Sequence, residues 1–295
     1  MNKLISLIAF VALLLSGFAF EASAQSTLFT YPQAPDTCRN LETRCNYLVQ
    51  RFWDGCELSK PIKAENDSLL LLAVRDYLEI MMNANVNVSL ASVRNLMFKA
   101  QSNQTNFLKI AQAAEMLLYQ QPTSMIDDVY LAFAKSVADA TWADKAVRNH
   151  FRDQVKTIEA SKLMSPITDF DFNEINGGKR HLYDKADTCE NYLLVFTRDD
   201  SDGSFARLRL STDAGINAAI ASGKLKVFDL TIGHTGSNWE KESADYAKTW
   251  TVGNYQDARD EIDIRRVPGV YVLDKDYKVL SKNLSIDQVK EIFNR

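Results

Sequence analysis

Residues 190–207 read Glu-Asn-Tyr-Leu-Leu-Val-Phe-Thr-Arg-Asp-Asp-Ser-Asp-Gly-Ser-Phe-Ala-Arg, an apolar run that gives way to a polar turn. Tyr192–Phe196 is too short for a buried helix and rich in β-formers, which predicts a buried central strand. The turn Asp199–Gly203 follows at once. A helix beginning within Ser201–Ser204 aims its unpaired backbone N–H groups and positive dipole end beyond the strand's carboxyl edge. Chemistry is expected at such a turn, yet no reactive side chain stands there.

Outward from this stretch, a helix is predicted from about Ser204 to Ala221, ended by Gly223, and then a strand over Leu225–Ile232. Trp239–Trp250 reads as a helix, Gly269–Leu273 as a strand, Asp274–Asp276 as a tight turn and Tyr277–Ser281 as the hairpin partner. A last helix covers Ile286–Phe293, capped by Ser285. On the amino side, Asp169–Phe172 alternates as a strand, Asn176-Gly177-Gly178 is a turn signal, and His181–Tyr183 is the return strand. The period changes at Ser165-Pro166, which places a domain boundary near residue 162.

Ahead of that boundary the pattern is helical. Leu41, Cys45, Leu48, Val49, Phe52, Trp53 and Cys56 form one amphipathic face, with Asp36 or Thr37 as cap. Lys60-Pro61 ends it. Further helices are predicted over Ser68–Asn83, Leu90–Gln101 capped by Ser89, Asn106–Tyr119 capped by Thr105, Met125–Ala138 capped by Ser124, and Ala143–Glu159. Val86-Asn87-Val88 reads as a brief extended link. The fold class is α+β: an all-α domain over 25–162 with short connections, then an α/β domain over 163–295.

The order of elements from residue 166 to 295 resembles the thioredoxin fold. Two motifs carry it: the strand–turn–helix of residues 190–207, and Arg266-Val267-Pro268-Gly269-Val270-Tyr271-Val272-Leu273-Asp274, which looks like the segment in which a cis-proline precedes the strand facing the active site. The whole chain, with Tyr47–Asp54 (Tyr-Leu-Val-Gln-Arg-Phe-Trp-Asp) in its helical half and Trp250-Thr251-Val252-Gly253 in the other, is similar to an uncharacterised exported family of Bacteroides-type bacteria. Its members pair a helical domain of unknown function with a thioredoxin-like domain.

In thioredoxin-type enzymes a Cys-x-x-Cys motif opens the helix after the central strand, where the helix end stabilises the attacking thiolate. The resemblance places Ser201-Asp202-Gly203-Ser204 on that motif, so both thiols are hydroxyls here. No catalytic residue is assigned. The degenerate motif, with Val267 and Pro268, is instead a candidate peptide-binding surface. A hydrolase reading of the serines lacks a Gly-x-Ser-x-Gly elbow and a related histidine. A calcium reading of Asp199, Asp200 and Asp202 lacks the acidic residue an EF-hand loop needs at Arg198. No metal or other cofactor is expected.

The 295 residues carry a formal charge of −4 and a pI near 5.5, with no basic run beyond pairs, which excludes an electrostatic grip on nucleic acid. Lys3, the apolar stretch Leu4–Phe20 and Ala22-Ser23-Ala24 read as a signal peptide over residues 1–24, removed before Gln25. No later segment is apolar enough to span a membrane, so a periplasmic or secreted location is expected. An oxidising compartment draws attention to Cys38, Cys45, Cys56 and Cys189. Within one helix, Cys38 and Cys45 stand about 10 Å apart along the axis, beyond disulfide reach, and buried thiols are the favoured reading. A bridge requires the helix to begin after Cys38, or Cys189 to fold back.

The favoured function is a redox-inactive, thioredoxin-like exported protein that binds a polypeptide or partner protein. The alternatives are a two-domain structural adaptor and an oxidoreductase using cysteines outside the degenerate motif.

Overall fold

The computed structural model describes residues 27–121, 127–175, 177–184 and 189–294. The predicted signal peptide, the Ser124 cap with Met125, and Asn176 of the expected turn lie outside the described residues. The chain forms two compact units, one of residues up to 118 with 128–148, the other of 119–127 with 149–295. No helix among the described residues is long and apolar enough to cross a membrane.

Among the described residues six α-helices come first: α1 Leu41–Arg51, α2 Asp67–Met81, α3 Val86–Ala100, α4 Gln104–Ala114, α5 Asp127–Ala138 and α6 Lys145–Ala160. In the first unit, α1 packs on α2 and α3, and α4 on the same two helices. Cys45, Leu48 and Val49 turn one face of α1 into this core, as the spacing predicts. The helix is shorter than expected. Asn40, not Asp36 or Thr37, caps it by accepting the Thr43 N–H at 2.8 Å, and the chain tightens to a 3-10 turn over Phe52–Gly55. That turn swings Phe52 and Trp53 into a cluster with Phe29, Tyr31 and Tyr77, with centroids 4.6–5.7 Å apart.

Two other caps differ from the sequence reading for reasons visible in the hydrogen bonds. Val86-Asn87-Val88 is the first turn of α3, because Asn85 Oδ1 accepts the Asn87 N–H at 3.0 Å; Ser89 is buried inside the helix. Asn103, not Thr105, caps α4 through the Asn106 N–H at 3.1 Å. The buried Asn106 side chain holds the loop ahead of α2, donating to Leu58 O and Lys60 O at 2.8 Å each and accepting from Ile62 N–H at 2.9 Å. After Ala114 the backbone widens into a π-helical turn over Glu115–Tyr119.

The second unit is built on seven strands, β1 Asp171–Glu174, β2 Lys179–His181, β3 Asn191–Thr197, β4 Leu225–Ile232, β5 Thr251–Tyr255, β6 Gly269–Asp274 and β7 Val279–Leu284, in the order β2-β1-β5-β4-β3-β6-β7. Strands β3, β4 and β5 run parallel, and β6 lies antiparallel to β3. The five-residue apolar run is the centre of the sheet, and its side chains alternate between two cores. Tyr192, Leu194 and Phe196 meet Phe170, Phe172, Phe228 and Tyr271 on one face; Leu193 and Val195 meet Leu210, Val227, Val252 and Val289 on the other. Burying each such side chain contributes about 1.5–3 kcal/mol.

The helices of this unit correct two readings. The helix predicted over 204–221 is two, α7 Ser201–Ser211 and α8 Ala214–Ala221, because Asp213 Oδ1 accepts the N–H groups of Gly215 and Ile216 and starts a new helix. Trp239–Trp250 contains only a short α9, Trp239–Ser243, and a 3-10 turn over Tyr246–Lys248. Strand β5 and the short α10, Ala258–Glu261, carry no periodic signal. Gly253 stands in β5 because a Cβ there would lie 2.5 Å from the ring of Phe172 on β1. The closing helix α11, Ile286–Phe293, keeps its Ser285 capping box.

Candidate functional site

Strand β3 ends at Thr197 and α7 begins at Ser201, so the predicted motif opens the helix directly after the central strand. Two aspartates make this turn. Asp200 Oδ1 accepts the Gly203 N–H at 2.8 Å, and Asp199 Oδ2 accepts the Gly236 N–H at 2.6 Å from the loop after β4. Both carboxylates flanking the motif are thus engaged by backbone. Gly203 is required by contact: a Cβ there would stand 2.1 Å from Arg198 O. Ser201, Asp202 and Ser204 are exposed, and Gly203 is buried.

Ser201, Ser204, Phe205 and Leu208 follow the i, i+3, i+4, i+7 spacing of one helix face. Phe205 is 60% and Leu208 51% exposed, so the motif continues into an uncovered apolar stripe. Across the sheet edge, Phe196 pairs with Gly269, which brings the entry of β6 beside the exit of β3. The half-buried Val267 and Pro268 therefore lie at the same carboxyl edge as the motif, and the peptide bond between them is cis.

Beneath α7 lies a buried ionic network absent from the sequence reading. Arg207 donates from Nε to Asp229 Oδ2 at 2.6 Å and from Nη2 to Thr197 Oγ1 at 2.6 Å and Thr231 Oγ1 at 2.7 Å. Thr197 in turn donates to Asp229 Oδ1 at 3.1 Å, and Trp239 Nε1 donates to Thr231 Oγ1 at 2.9 Å. Asp229 is fully buried and Arg207 nearly so. The signal available was a lone aspartate inside the apolar strand Leu225–Ile232, which a buried location obliges to find a cation.

The thiols lie elsewhere, and all four are free. Cys189 precedes β3 at its amino end, opposite the motif, where its Sγ donates to Asn191 O at 2.9 Å. Burial pushes its thiol up, against the opposing pull of Tyr192 and the Asn191 backbone. Tyr192, Tyr277 and Tyr183 stack beside it at 4.6 and 4.3 Å. In the first unit, burial and then Glu57 push Cys56 up to about 11, and burial also raises Cys45. The helix begins after Cys38, the condition under which a bridge remained open, but no bridge forms. His181 is held by Asp171 at 2.5 Å on the outer strand β2, and His150 contacts Gln154 at 3.1 Å. Among the described residues no group of three or more His, Cys, Asp or Glu is placed to hold a metal ion.

With this geometry in place, comparison with known proteins gives two findings. Residues 19–161 match the family model described as a domain of unknown function, DUF5106. The chain is similar in structure to a thioredoxin-like protein from Bacteroides caccae ATCC 43185, with a TM-score of 0.77 at 17% identity over 92% of this chain and 99% of that one. The second unit has a thioredoxin-like fold. A further similarity, to the C-terminal domain of an uncharacterized protein from Bacteroides fragilis NCTC 9343, covers 46% of this chain and 99% of that one at 26% identity and a TM-score of 0.42. No curated protein matches the chain.

Proposed function

We propose that this is a redox-inactive thioredoxin-like protein, exported to the periplasm or beyond after loss of residues 1–24, with domains over 25–162 and 163–295. In this reading it binds an extended polypeptide at Ser201, Asp202, Gly203, Ser204, Val267 and Pro268. The observation that carries the reading is the composition of α7: two hydroxyls stand on its exposed first turn, and Phe205 and Leu208 continue their face uncovered.

Disulfide exchange proceeds through a mixed disulfide between an attacking thiolate and a substrate sulfur. A serine oxygen cannot form that bond, and neither Ser201 nor Ser204 has a base among its hydrogen-bond partners in the described residues. The raised Cys56 thiol supports the same reading, since a group titrating near 11 is ionised to roughly one part in ten thousand at neutral pH. Exposed apolar side chains at the carboxyl end of the central strand suit an extended chain, which supplies apolar anchors without covalent chemistry.

Insulin reduction and calorimetry with an unfolded, carboxymethylated polypeptide test both halves. The protein is expected not to reduce insulin and to bind the polypeptide, with binding lost in Phe205→Glu/Leu208→Glu. Ser201→Cys/Ser204→Cys is expected to gain measurable exchange. Turnover by the natural chain, or binding indifferent to the apolar pair, sinks the proposal.

A further inference from the structure

Three tyrosines form a single ring stack at the amino end of β3, opposite the degenerate motif. Tyr192 belongs to β3, Tyr277 to the turn between β6 and β7, and Tyr183 comes just after β2. The rings of Tyr192 and Tyr277 lie 4.6 Å apart at 8°, and those of Tyr277 and Tyr183 lie 4.3 Å apart at 26°. The stack runs from core to surface. Tyr192 is buried, whereas Tyr277 and Tyr183 are half-buried.

The outer two rings are held together through one residue, Ile167. Its N–H donates to Tyr277 O at 2.9 Å, and its carbonyl accepts the Tyr183 hydroxyl. Asp169 Oδ1 accepts the Tyr183 N–H at 3.0 Å, and Asp274 O accepts the Tyr277 N–H at 3.0 Å. Tyr277 takes a φ of 59°, a left-handed conformation that is uncommon for a bulky side chain. The pair is thus fixed face to face, with centroids closer than the roughly 4.5–7 Å of ordinary aromatic pairs.

We infer that Tyr183 and Tyr277 are a site of oxidative cross-linking, joined through the ring carbons ortho to their hydroxyls when a haem peroxidase turns over hydrogen peroxide beside them. Each phenol loses one electron and its hydroxyl proton. The two radicals pair to form a carbon–carbon bond along the direction in which stacked rings face each other, and holding them there makes the union effectively intramolecular. Each bonded carbon then releases its hydrogen as a proton while its oxygen takes one up, which restores both phenols. The pair loses two hydrogen atoms in all, and one hydrogen peroxide becomes two waters. Tyr192 is left out, since a ring packed in the core cannot turn edge-on to a partner without displacing its neighbours. The bond ties the end of the β1–β2 hairpin to the β6–β7 turn.

The test treats the full mature chain, kept dilute so that chains do not couple to one another, with a haem peroxidase and hydrogen peroxide. The monomer band is expected to gain dityrosine fluorescence, and digestion to yield a peptide pair joined at Tyr183 and Tyr277 whose mass is short of the sum by two hydrogens. Tyr183→Phe and Tyr277→Phe, which keep a ring in the stack, should each remove that pair, while Tyr192→Phe should keep it. The cross-linked chain should also unfold at a higher temperature than either outer variant treated in the same way. Dityrosine mapped to other tyrosines, or a fluorescence gain undiminished in Tyr183→Phe, overturns the inference. So does an unmodified chain in a tube where added N-acetyltyrosine amide couples.

Discussion

The two ends of β3 differ in what a thioredoxin-like fold would use them for. At the carboxyl end a helix begins directly after the strand, its first turn capped by Asp200, its flank pinned through Asp199 to Gly236, and its underside fixed by Arg207 and Asp229. The helix start is thus firmly held, and hydroxyls, not thiols, stand on its first turn. At the amino end a thiol is present, Cys189, but it sits against Tyr192 with its hydrogen bonded to Asn191 O and its ionisation disfavoured by burial. The difference teaches that scaffold and reactive atom are separable: the geometry is retained by packing and polar networks that do not depend on sulfur.

The network at the carboxyl end is the strongest point at which to break that contrast. Removing one partner of a buried ion pair leaves the other charge uncompensated, at a cost of about 3–5 kcal/mol. Asp229→Ala is therefore expected to lower the urea-unfolding free energy by that amount, and to disturb α7, since Arg207 would lose its carboxylate partner in the sheet and keep only the Thr197 and Thr231 hydroxyls. Arg207→Met/Asp229→Val, which removes both charges, should recover at least half of the loss. A single-variant cost below about 1 kcal/mol would mean that the pair is hydrated and that the helix start is held by other contacts.

A smaller effect is expected at the cap. Asp200→Ala deletes the acceptor for the Gly203 N–H, and caps of this kind contribute about 1 kcal/mol. Thermal unfolding of the variant measures it, and the gain of disulfide exchange in Ser201→Cys/Ser204→Cys should be weaker when Asp200→Ala is added, because a frayed first turn no longer holds the two side chains in register. Unchanged exchange would show that the cap serves stability alone.

These distinctions were unequally legible in the sequence. The apolar run 192–196, the strand at Leu225–Ile232 and the Ser285-capped last helix are local patterns, set by β-branched residues, alternation and a capping box, and they are found where the residues predict them. Strand β5 was not legible, because Val252-Gly253-Asn254-Tyr255 becomes a strand only between β1 and β4, with Gly253 chosen for the ring of Phe172. The division at Thr212-Asp213 was hidden by apolar spacing on both sides of it. At the site, the serines and the apolar Phe205 were visible as letters, whereas the Arg207–Asp229 pair joins residues 22 apart in sequence and needs the sheet to bring it together.

The smallest expected effect is at the amino end. Cys189→Ser keeps a donor for Asn191 O and loses only the sulfur's packing beside Tyr192, so unfolding free energy should change by no more than about 0.5 kcal/mol. Its value lies in the comparison of reactivity. A thiol raised by burial must be carried to higher pH before it ionises, so iodoacetamide should label Cys189 slowly at neutral pH and faster as the pH rises through and beyond the ordinary thiol range near 8.5. In Ser201→Cys the new thiol stands at a helix start, where the dipole and N–H groups favour the thiolate, and labelling should reach its plateau at lower pH than at Cys189. If the two titrate together, position at the carboxyl end confers no advantage on a thiol, and the serines at residues 201 and 204 would carry no argument about redox chemistry.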